Sequence, residues 1–184
     1  MVSTQTALII VDVQNDYFKG GKMELVGMEE ASKNCQLVLE HFRSKNLPLV
    51  HVQHFCVEEG ATFFLPKTEG AEIHENVKPK EGETLVTKNY PSSFRETKLQ
   101  EILQNLNIKD LVIVGAMSHM CIDTTTRAAC DLGYNCTVLH DACATRDLEF
   151  NGAIAKAKDV QVAYMAALGW GFARVISTQE YLKQ

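Results

Sequence analysis

The apolar positions of this chain form short continuous runs, and most of these runs are rich in β-branched residues. Such runs are typical of parallel strands that are covered on both faces, whereas half-exposed strands alternate. Four strong runs predict strands at residues 6–11, 47–52, 111–114 and 136–139, and weaker runs predict two more at residues 84–87 and 173–176.

Segments with the apolar spacing of helices separate these runs. Alternation of strands and helices predicts right-handed βαβ units and a doubly wound, Rossmann-like parallel sheet. Ligands of such sheets bind beyond the carboxyl ends of the strands, near the point where the strand order reverses. The residues that follow strands are therefore the candidates for chemistry. Helices are predicted at residues 28–44, 96–106, 120–132 and 152–168.

One long irregular stretch, residues 55–82, interrupts this alternation. Loops of such length are uncommon in compact domains unless they cover a site or bind a partner. We expect this stretch to contact a substrate, a metal or a neighbouring subunit. The chain contains no internal repeat, linker or low-complexity region, so residues 1–184 are predicted to form a single domain.

The composition narrows the classes of partner. The 184 residues carry a formal net charge of −5, and basic residues are scattered singly, so no nucleic-acid partner is expected. No segment approaches the roughly 18 apolar residues of a membrane helix, and the amino terminus lacks a signal-peptide pattern. We therefore expect no membrane partner and a cytoplasmic protein. The six cysteines show no CxxC spacing and are expected to stay reduced.

Two charged residues follow predicted strands directly. Asp12 comes directly after the predicted strand at residues 6–11, and it is either a cap for the following turn or a desolvated carboxylate with a raised pKa that carries protons. Lys88 follows a weaker strand, where a solvated surface lysine is the ordinary interpretation. If Lys88 points inward, its ammonium favours both a neighbouring carboxylate and a thiolate.

Cys121 occupies a position that suits a nucleophile. A predicted strand stops at Gly115, a short turn follows, and Cys121 opens a predicted helix. Backbone N–H groups at a helix start stabilise a thiolate and can hold an oxyanion. The alternative interpretation is a buried structural thiol, and position alone does not separate the two.

Three separated anchors run through nearly the whole chain in a characteristic order. They are Leu8-Ile-Ile-Val-Asp12-Val-Gln-Asn-Asp-Tyr-Phe18, then Lys88 with Ser93-Phe94, and then Val114-Gly-Ala-Met-Ser-His-Met-Cys121-Ile-Asp-Thr-Thr, followed by Ala128, Gly133-Tyr134 and Asp141-Ala-Cys-Ala-Thr. In these anchors the chain resembles the isochorismatase-like cysteine hydrolases, a family that includes nicotinamidases and N-carbamoyl amidohydrolases.

The resemblance implies a three-layer α/β/α sandwich around a six-stranded parallel sheet. It also implies a catalytic triad of Asp12, Lys88 and Cys121. In relatives the bond that matches Ala116–Met117 is a cis peptide without proline. This bond would aim the Met117 N–H, with that of Cys121, at the substrate oxygen as an oxyanion hole.

The sequence departs from nicotinamidases at their metal site. Nicotinamidases bind a metal through an Asp-x-His pair after the second strand, and the matching positions here hold His54 and Cys56. We therefore expect no metal and no other cofactor, and nicotinamide is a less favoured substrate. Candidates to line the substrate pocket are Tyr17, His54, Phe94 and His119, with packing or surface exposure as the alternative for each.

The presence of Cys121 favours hydrolysis of an amide or ureido C–N bond in a small molecule, through an acyl-thioester. True isochorismatases share the fold and cleave a vinyl ether, and members that act in this way need not keep the cysteine. Two further hypotheses make the protein a thiol-bearing binding protein or a non-enzymatic scaffold. Relatives are commonly homodimers or larger homo-oligomers, and the apolar segment 160–170 offers a surface for self-association.

Overall fold

Six parallel strands form the central sheet of the computed structural model, which describes residues 5–184. The strand order in this sheet is β3-β2-β1-β4-β5-β8, and a separate antiparallel pair joins β6 to β7. The strands are β1 (Thr6–Val11), β2 (Leu49–His54), β3 (Thr84–Lys88), β4 (Asp110–Ala116), β5 (Asn135–Ala144), β6 (Leu148–Phe150), β7 (Ala153–Ala155) and β8 (Ala173–Ile176).

The order of strands reverses beside β1. The chain moves outward from β1 to β2 and β3, and then returns to place β4 on the other side of β1. Both neighbours pair with β1 in parallel register, with Val11 opposite Val52 on one side and opposite Gly115 on the other. The carboxyl ends of β1 and β4 therefore form the crevice where ligands of doubly wound sheets bind.

Helices cover both faces of the sheet, which confirms the predicted three-layer α/β/α sandwich. All six residues of β1 are buried, and the side chains of residues 7–11 alternate between two apolar clusters. Leu8 and Ile10 pack against α1 and α5, whereas Ile9 and Val11 pack on the side of α2, α3 and α4. The helices are α1 (Met28–Ser44), α2 (Leu99–Asn105), α3 (Asp123–Asp131), α4 (Ala157–Gly171) and α5 (Thr178–Leu182).

Gly115 allows β4 to lie close to the end of β1. Its φ is +121°, and a Cβ at this position would collide with the backbone carbonyl of Val11. Only glycine therefore fits the strand pairing immediately beside Asp12. None of the helices in residues 5–184 is both long enough and apolar enough to cross a lipid bilayer.

The predicted helix at residues 152–168 is wrong over its first five residues. A hairpin of β6 and β7 occupies residues 148–155, and α4 begins only at Ala157. Asn151 and Gly152 both have positive φ, which is the conformation that a two-residue hairpin turn requires. The Asn-Gly pair was the sequence signal for this turn, and it is stronger than the helical spacing that follows it.

Candidate active site

The carboxyl ends of β1, β3 and β4 each lead to one ionisable side chain, and the three side chains lie at the same edge of the sheet. Asp12 follows β1 directly, Lys88 is the last residue of β3, and Cys121 lies in a π-helical turn, Ser118–Ile122, shortly after β4. Asp12 has φ +53°, a conformation that aspartate tolerates better than most residues, and its N–H donates to Val52 O at 3.0 Å.

The three side chains meet around the Lys88 ammonium. Lys88 Nζ lies 2.7 Å from Asp12 Oδ2, 3.3 Å from Cys121 Sγ and 2.8 Å from His54 Nδ1. It also donates to the carbonyl of Tyr90 at 3.1 Å. Asp12, Lys88 and Cys121 are 0%, 2% and 4% exposed. Lys88 is therefore not a solvated surface residue, and it contacts both a carboxylate and a thiol.

The charges of this group follow from burial and from its neighbours. Burial raises the pKa of Asp12, but Lys88 and His54 outweigh burial and leave the pKa below the ordinary carboxyl value. Burial lowers the pKa of Lys88, but the negative charge of Asp12 outweighs burial and raises it overall. Asp12 is thus a carboxylate and Lys88 an ammonium, and the expectation of a raised Asp12 pKa is wrong because a cation lies against the carboxylate.

Cys121 is a neutral thiol in this arrangement. Burial raises the pKa of Cys121, the charge of Asp12 raises it further, and Lys88 offsets only part of this increase. Burial and the Asp12 charge thus oppose the thiolate that a helix start favours. The site instead places an ionised base beside a thiol, so a thiolate forms only when the proton moves to Asp12.

The turn that carries Cys121 is anchored on both sides. The peptide bond between Ala116 and Met117 is cis, and the Met117 carbonyl accepts the N–H groups of Met120 at 3.0 Å and Ile122 at 3.2 Å. The hydroxyl of Ser118 lies 3.1 Å from the carbonyl of Ala144 and 2.6 Å from Gln161 Oε1. These contacts fix the turn against β5 and α4.

A second anchor joins the segment after Lys88 to the helix after Cys121. The N–H of Ser93 donates to Thr125 Oγ1 at 3.0 Å, and the Thr125 hydroxyl donates to Ser93 Oγ at 3.0 Å. Both residues are fully buried. Both residues lie within the anchors that carry the family resemblance, but no role was predicted for either.

The residues after Asp12 hold the long loop 55–82 over the site. The amide of Gln14 donates to the carbonyls of His54 at 2.9 Å and Ala71 at 2.8 Å, and its oxygen accepts the His54 N–H at 2.8 Å. Asp16 accepts the N–H of Phe64 at 2.7 Å. No role in holding the loop was predicted for Gln14 or Asp16. Their position directly after a buried strand, where polar side chains often bind neighbouring backbone groups, was the available signal.

Two of the predicted pocket residues lie beside the triad. His54 contacts Lys88 directly, and its Nδ1 lies 3.8 Å from Asp12 Oδ2. Tyr17 is buried, with its ring centre 4.6 Å from that of Phe64. The Phe64 ring in turn lies 6.1 Å from that of His54. Burial, and then the charges of Cys121 and Asp12, raise the pKa of Tyr17.

The other two predicted pocket residues make their ring and hydrogen-bond contacts away from Asp12 and Lys88. Phe94 stacks on Tyr134 with ring centres 6.2 Å apart and packs against the apolar cluster on the α2, α3 and α4 side. His119 is half-buried, with Nδ1 2.6 Å from Thr145 Oγ1 and its ring edge-on to Tyr164. His119 therefore supports the Cys121 turn from the side of α4.

The residues at the nicotinamidase metal positions do not fit a metal site of that kind. The Nδ1 atom of His54 already contacts the Lys88 ammonium. Cys56 lies in the loop that follows, where its backbone N–H donates to the carbonyl of Phe64. Among residues 5–184, one group of potential ligands does converge, and it consists of Asp12, His54 and Cys121. Their ligand atoms all lie within 4.8 Å of one another, around the Lys88 ammonium.

Comparison with known proteins identifies the family. The profile of the Isochorismatase domain matches residues 6–180. The chain belongs to the isochorismatase family. The uncharacterized isochorismatase family protein YddQ of Bacillus subtilis strain 168 is 48% identical over 178 residues, which cover 97% of this chain and 99% of the relative.

A solved structure and a named hydrolase extend this assignment. A crystal structure described as an isochorismatase hydrolase, from Oleispira antarctica, has a TM-score of 0.95 at 50% identity and covers 100% of this chain and 99% of that chain. A streptothricin hydrolase of Streptomyces noursei is 31% identical over 147 residues, which cover 77% of this chain and 50% of the relative. The resemblance predicted from the sequence is confirmed, and the chain is an isochorismatase-family hydrolase.

Proposed function

We propose that the protein hydrolyses an amide or ureido C–N bond of a small molecule, with Cys121 as nucleophile and Asp12 as acid and base. The observation that carries this proposal is the buried contact of Lys88 with both Asp12 and Cys121. A carboxylate, an ammonium and a thiol in mutual contact supply a base, a fixed positive charge and a nucleophile.

The first half of the reaction forms an acyl-enzyme. Asp12 takes the thiol proton of Cys121, and the sulfur attacks the carbonyl carbon of the substrate. The negative charge on the carbonyl oxygen is held by the backbone N–H groups of Met117 and Cys121, at the start of the helical segment that continues into α3. Asp12 then gives its proton to the departing nitrogen, and the C–N bond breaks to leave a thioester on Cys121.

The second half releases the acid. Asp12 takes a proton from water, the resulting hydroxide attacks the thioester carbon, and the C–S bond breaks. The proton returns to Cys121, so the resting thiol and carboxylate are restored. Lys88 stays protonated throughout, because its raised pKa keeps the ammonium charged beside Asp12. It positions both partners and offsets the charge that moves between them.

The surroundings of the nucleophile favour a small, uncharged substrate. Cys121 is only 4% exposed, and Tyr17, Phe64 and Met117 contribute buried apolar surface at this end of the sheet. The charges of Asp12 and Lys88 already cancel, so the site offers no net charge to an ionic substrate. Primary amides, N-carbamoyl compounds and cyclic amides all satisfy these limits.

The test is a screen of these three classes for hydrolysis, with the Cys121 peptide followed by mass spectrometry after rapid acid quench. We expect one class to turn over and to leave a transient acyl mass on Cys121. General acid–base catalysis is typically worth about 10²–10⁴-fold, so Asp12→Asn should lower kcat by at least that factor, and Cys121→Ala should abolish turnover. Cys136→Ala, at the amino end of β5, is the matched control and should keep full activity.

Turnover that persists in Cys121→Ala would contradict the proposal. So would turnover that survives complete alkylation of Cys121, a result that would instead favour the vinyl-ether hydrolysis of true isochorismatases. Isochorismate therefore belongs in the screen as the discriminating substrate.

A further inference from the structure

The contact between His54 and Lys88 fixes the position of the proton on the imidazole ring. His54 Nδ1 lies 2.8 Å from Lys88 Nζ. An ammonium only donates hydrogen bonds, so Nδ1 is the acceptor and carries no proton. The proton of the neutral ring then lies on the other nitrogen, Nε2. Lys88 therefore holds His54 in the tautomer that makes Nε2 a hydrogen-bond donor.

This donor is held in place but has no partner. His54 Nε2 makes no hydrogen bond among residues 5–184 and, unlike the buried Nδ1 of His51, it reaches solvent. The side chain of Gln14 binds both the backbone N–H of His54 at 2.8 Å and its carbonyl at 2.9 Å. His54 is only 9% exposed. A nearly buried side chain thus presents a single fixed donor to whatever enters the site.

The donor lies beside the nucleophile. A ring nitrogen of His54 lies within 4.8 Å of Cys121 Sγ and of a carboxylate oxygen of Asp12. A reacting carbonyl carbon sits about 3–3.5 Å from the atom that attacks it. The imidazole is therefore a close neighbour of the atoms bonded to that carbon.

The scissile amide offers no acceptor for this donor. In the proposed reaction its carbonyl oxygen is held by the backbone N–H groups of Met117 and Cys121. The nitrogen of an amide donates hydrogen bonds and does not accept them. In a primary amide the nitrogen carries only hydrogens, so a further acceptor belongs to the acyl part. A ligand without such an acceptor covers the Nε2–H and leaves a donor unsatisfied, which weakens binding.

We propose that the Nε2–H of His54 determines specificity, by selecting amides whose acyl part carries an oxygen acceptor on the carbon next to the scissile carbonyl. Ether, hydroxyl and carbonyl oxygens meet this requirement, whereas a plain alkyl chain does not. The inference rests on the proposed function for the identity of the scissile bond. Its own test is binding, so absent turnover would contradict the reaction, whereas absent selectivity in binding would contradict the role of His54.

The first experiment measures the tautomer by nitrogen NMR on the intact protein with isotope-labelled histidine. We expect the signals of His54, identified by their loss in His54→Asn, to show a proton on Nε2 and none on Nδ1 at neutral pH. A proton on Nδ1, or on both nitrogens, would overturn the proposal.

The second experiment compares methoxyacetamide with butyramide, which has a methylene group in place of the ether oxygen. Both are titrated into Cys121→Ala, which lacks the nucleophile. Methoxyacetamide should bind about tenfold more tightly, because butyramide leaves the donor unsatisfied, and it should shift the Nε2–H signal of His54. Equal affinities, or a His54 signal that methoxyacetamide leaves unchanged, would overturn the proposal.

His54→Asn separates recognition from the contact with Lys88. The asparagine oxygen can take the place of Nδ1 and accept from Lys88, but the shorter side chain has no group where Nε2 lies. In the Cys121→Ala background this variant should lose the preference for methoxyacetamide. His140→Asn, at an exposed position of β5, is the matched control and should keep it. A preference that persists in a folded His54→Asn would show that another group binds the ether oxygen, and the proposal would be wrong.

Discussion

Lys88 Nζ lies 2.7 Å from Asp12 Oδ2, and neither side chain has any exposed surface. Removing one partner of such a buried pair typically costs about 3–5 kcal/mol, because the other charge is left without compensation. The pair therefore fixes the charge of both groups in the folded protein. It keeps Asp12 ionised and the Cys121 thiol protonated. The negative charge of Asp12 raises the pKa of Cys121 and the positive charge of Lys88 lowers it, so removing either charge should change the reactivity of the thiol in opposite directions.

The first prediction separates thiol reactivity from catalysis. Asp12→Asn removes the negative charge that raises the pKa of Cys121 and leaves the positive charge of Lys88 beside the sulfur. We expect Cys121 in this variant to be alkylated by iodoacetamide at least about tenfold faster at neutral pH, because more thiolate is present. Hydrolysis should nevertheless be lost, because no group returns a proton to the leaving nitrogen.

Lys88→Met is the opposite control for this prediction. It removes the charge that lowers the pKa of Cys121, so alkylation should be slower than in the wild type. Peptide mass spectrometry across a pH series measures both variants, and the other five cysteines serve as internal references. Slower alkylation in a folded Asp12→Asn would mean that Asp12 does not hold the thiol in its protonated form.

The fold was predictable because its signals are local, whereas the catalytic roles of Asp12, Lys88 and Cys121 came from the family resemblance and stay a prediction. Continuous apolar runs predict buried parallel strands, and Asp12 and Lys88 each end such a run. The charges of the triad were not predictable in this way. They depend on distances between β1, β3 and the turn after β4, which no single segment determines.

The surroundings of the site were predicted less well for a related reason. His54 contacts Lys88, whereas Phe94 packs on Tyr134, and the link between Ser93 and Thr125 holds the segment that carries Phe94. A role in the substrate pocket stays a prediction for all four candidate residues. The direction of a loop side chain depends on such tertiary hydrogen bonds. One sequence does not reveal which partners they join.

The second prediction concerns the link between the Lys88 segment and α3. Thr125→Val removes a buried hydroxyl that bonds Ser93 twice and should lower the free energy of unfolding by about 1–3 kcal/mol. Thr126→Val is the matched control, because the buried Thr126 hydroxyl has no partner among the described residues. The control should be neutral or stabilising in urea unfolding. Equal losses in the two variants would show that the link contributes nothing specific.

The third prediction concerns acid stability. Burial raises the pKa of Glu83, but hydrogen bonds from Arg43 and from the N–H of Lys80 outweigh burial and lower it from 4.5 to about 2. A depressed carboxyl pKa contributes stability above the unfolded value, and this contribution disappears as the pH falls toward the folded value. The contribution of Glu83 should therefore be complete above pH 4.5 and largely lost near pH 2.

Glu83→Gln tests this window. Charged hydrogen bonds are worth about 1.5–3 kcal/mol, so the variant should be less stable than the wild type at neutral pH by about that amount. The difference should shrink between pH 4.5 and about 2, as followed by urea unfolding at each pH. Glu40→Gln, which alters a more exposed partner of Arg43, should show a smaller and flatter difference. A Glu83→Gln deficit that does not change with pH would contradict this account.

The last prediction concerns self-association through the β6–β7 hairpin and α4. Phe150 and Ile154 lie on opposite faces of the hairpin and are 78% and 59% exposed, and Trp170 on α4 is 89% exposed. An isolated two-stranded hairpin is marginally stable in water, so a hairpin that exposes apolar side chains on both faces gains most by packing against a second copy.

We expect a homodimer or larger homo-oligomer in light scattering. Ile154→Lys should shift the mass toward the 20.5 kDa of one chain, whereas Leu37→Lys, at a 56% exposed position on α1, should not. A wild-type mass of one chain would contradict the prediction, and equal masses for the two variants would place the interface elsewhere.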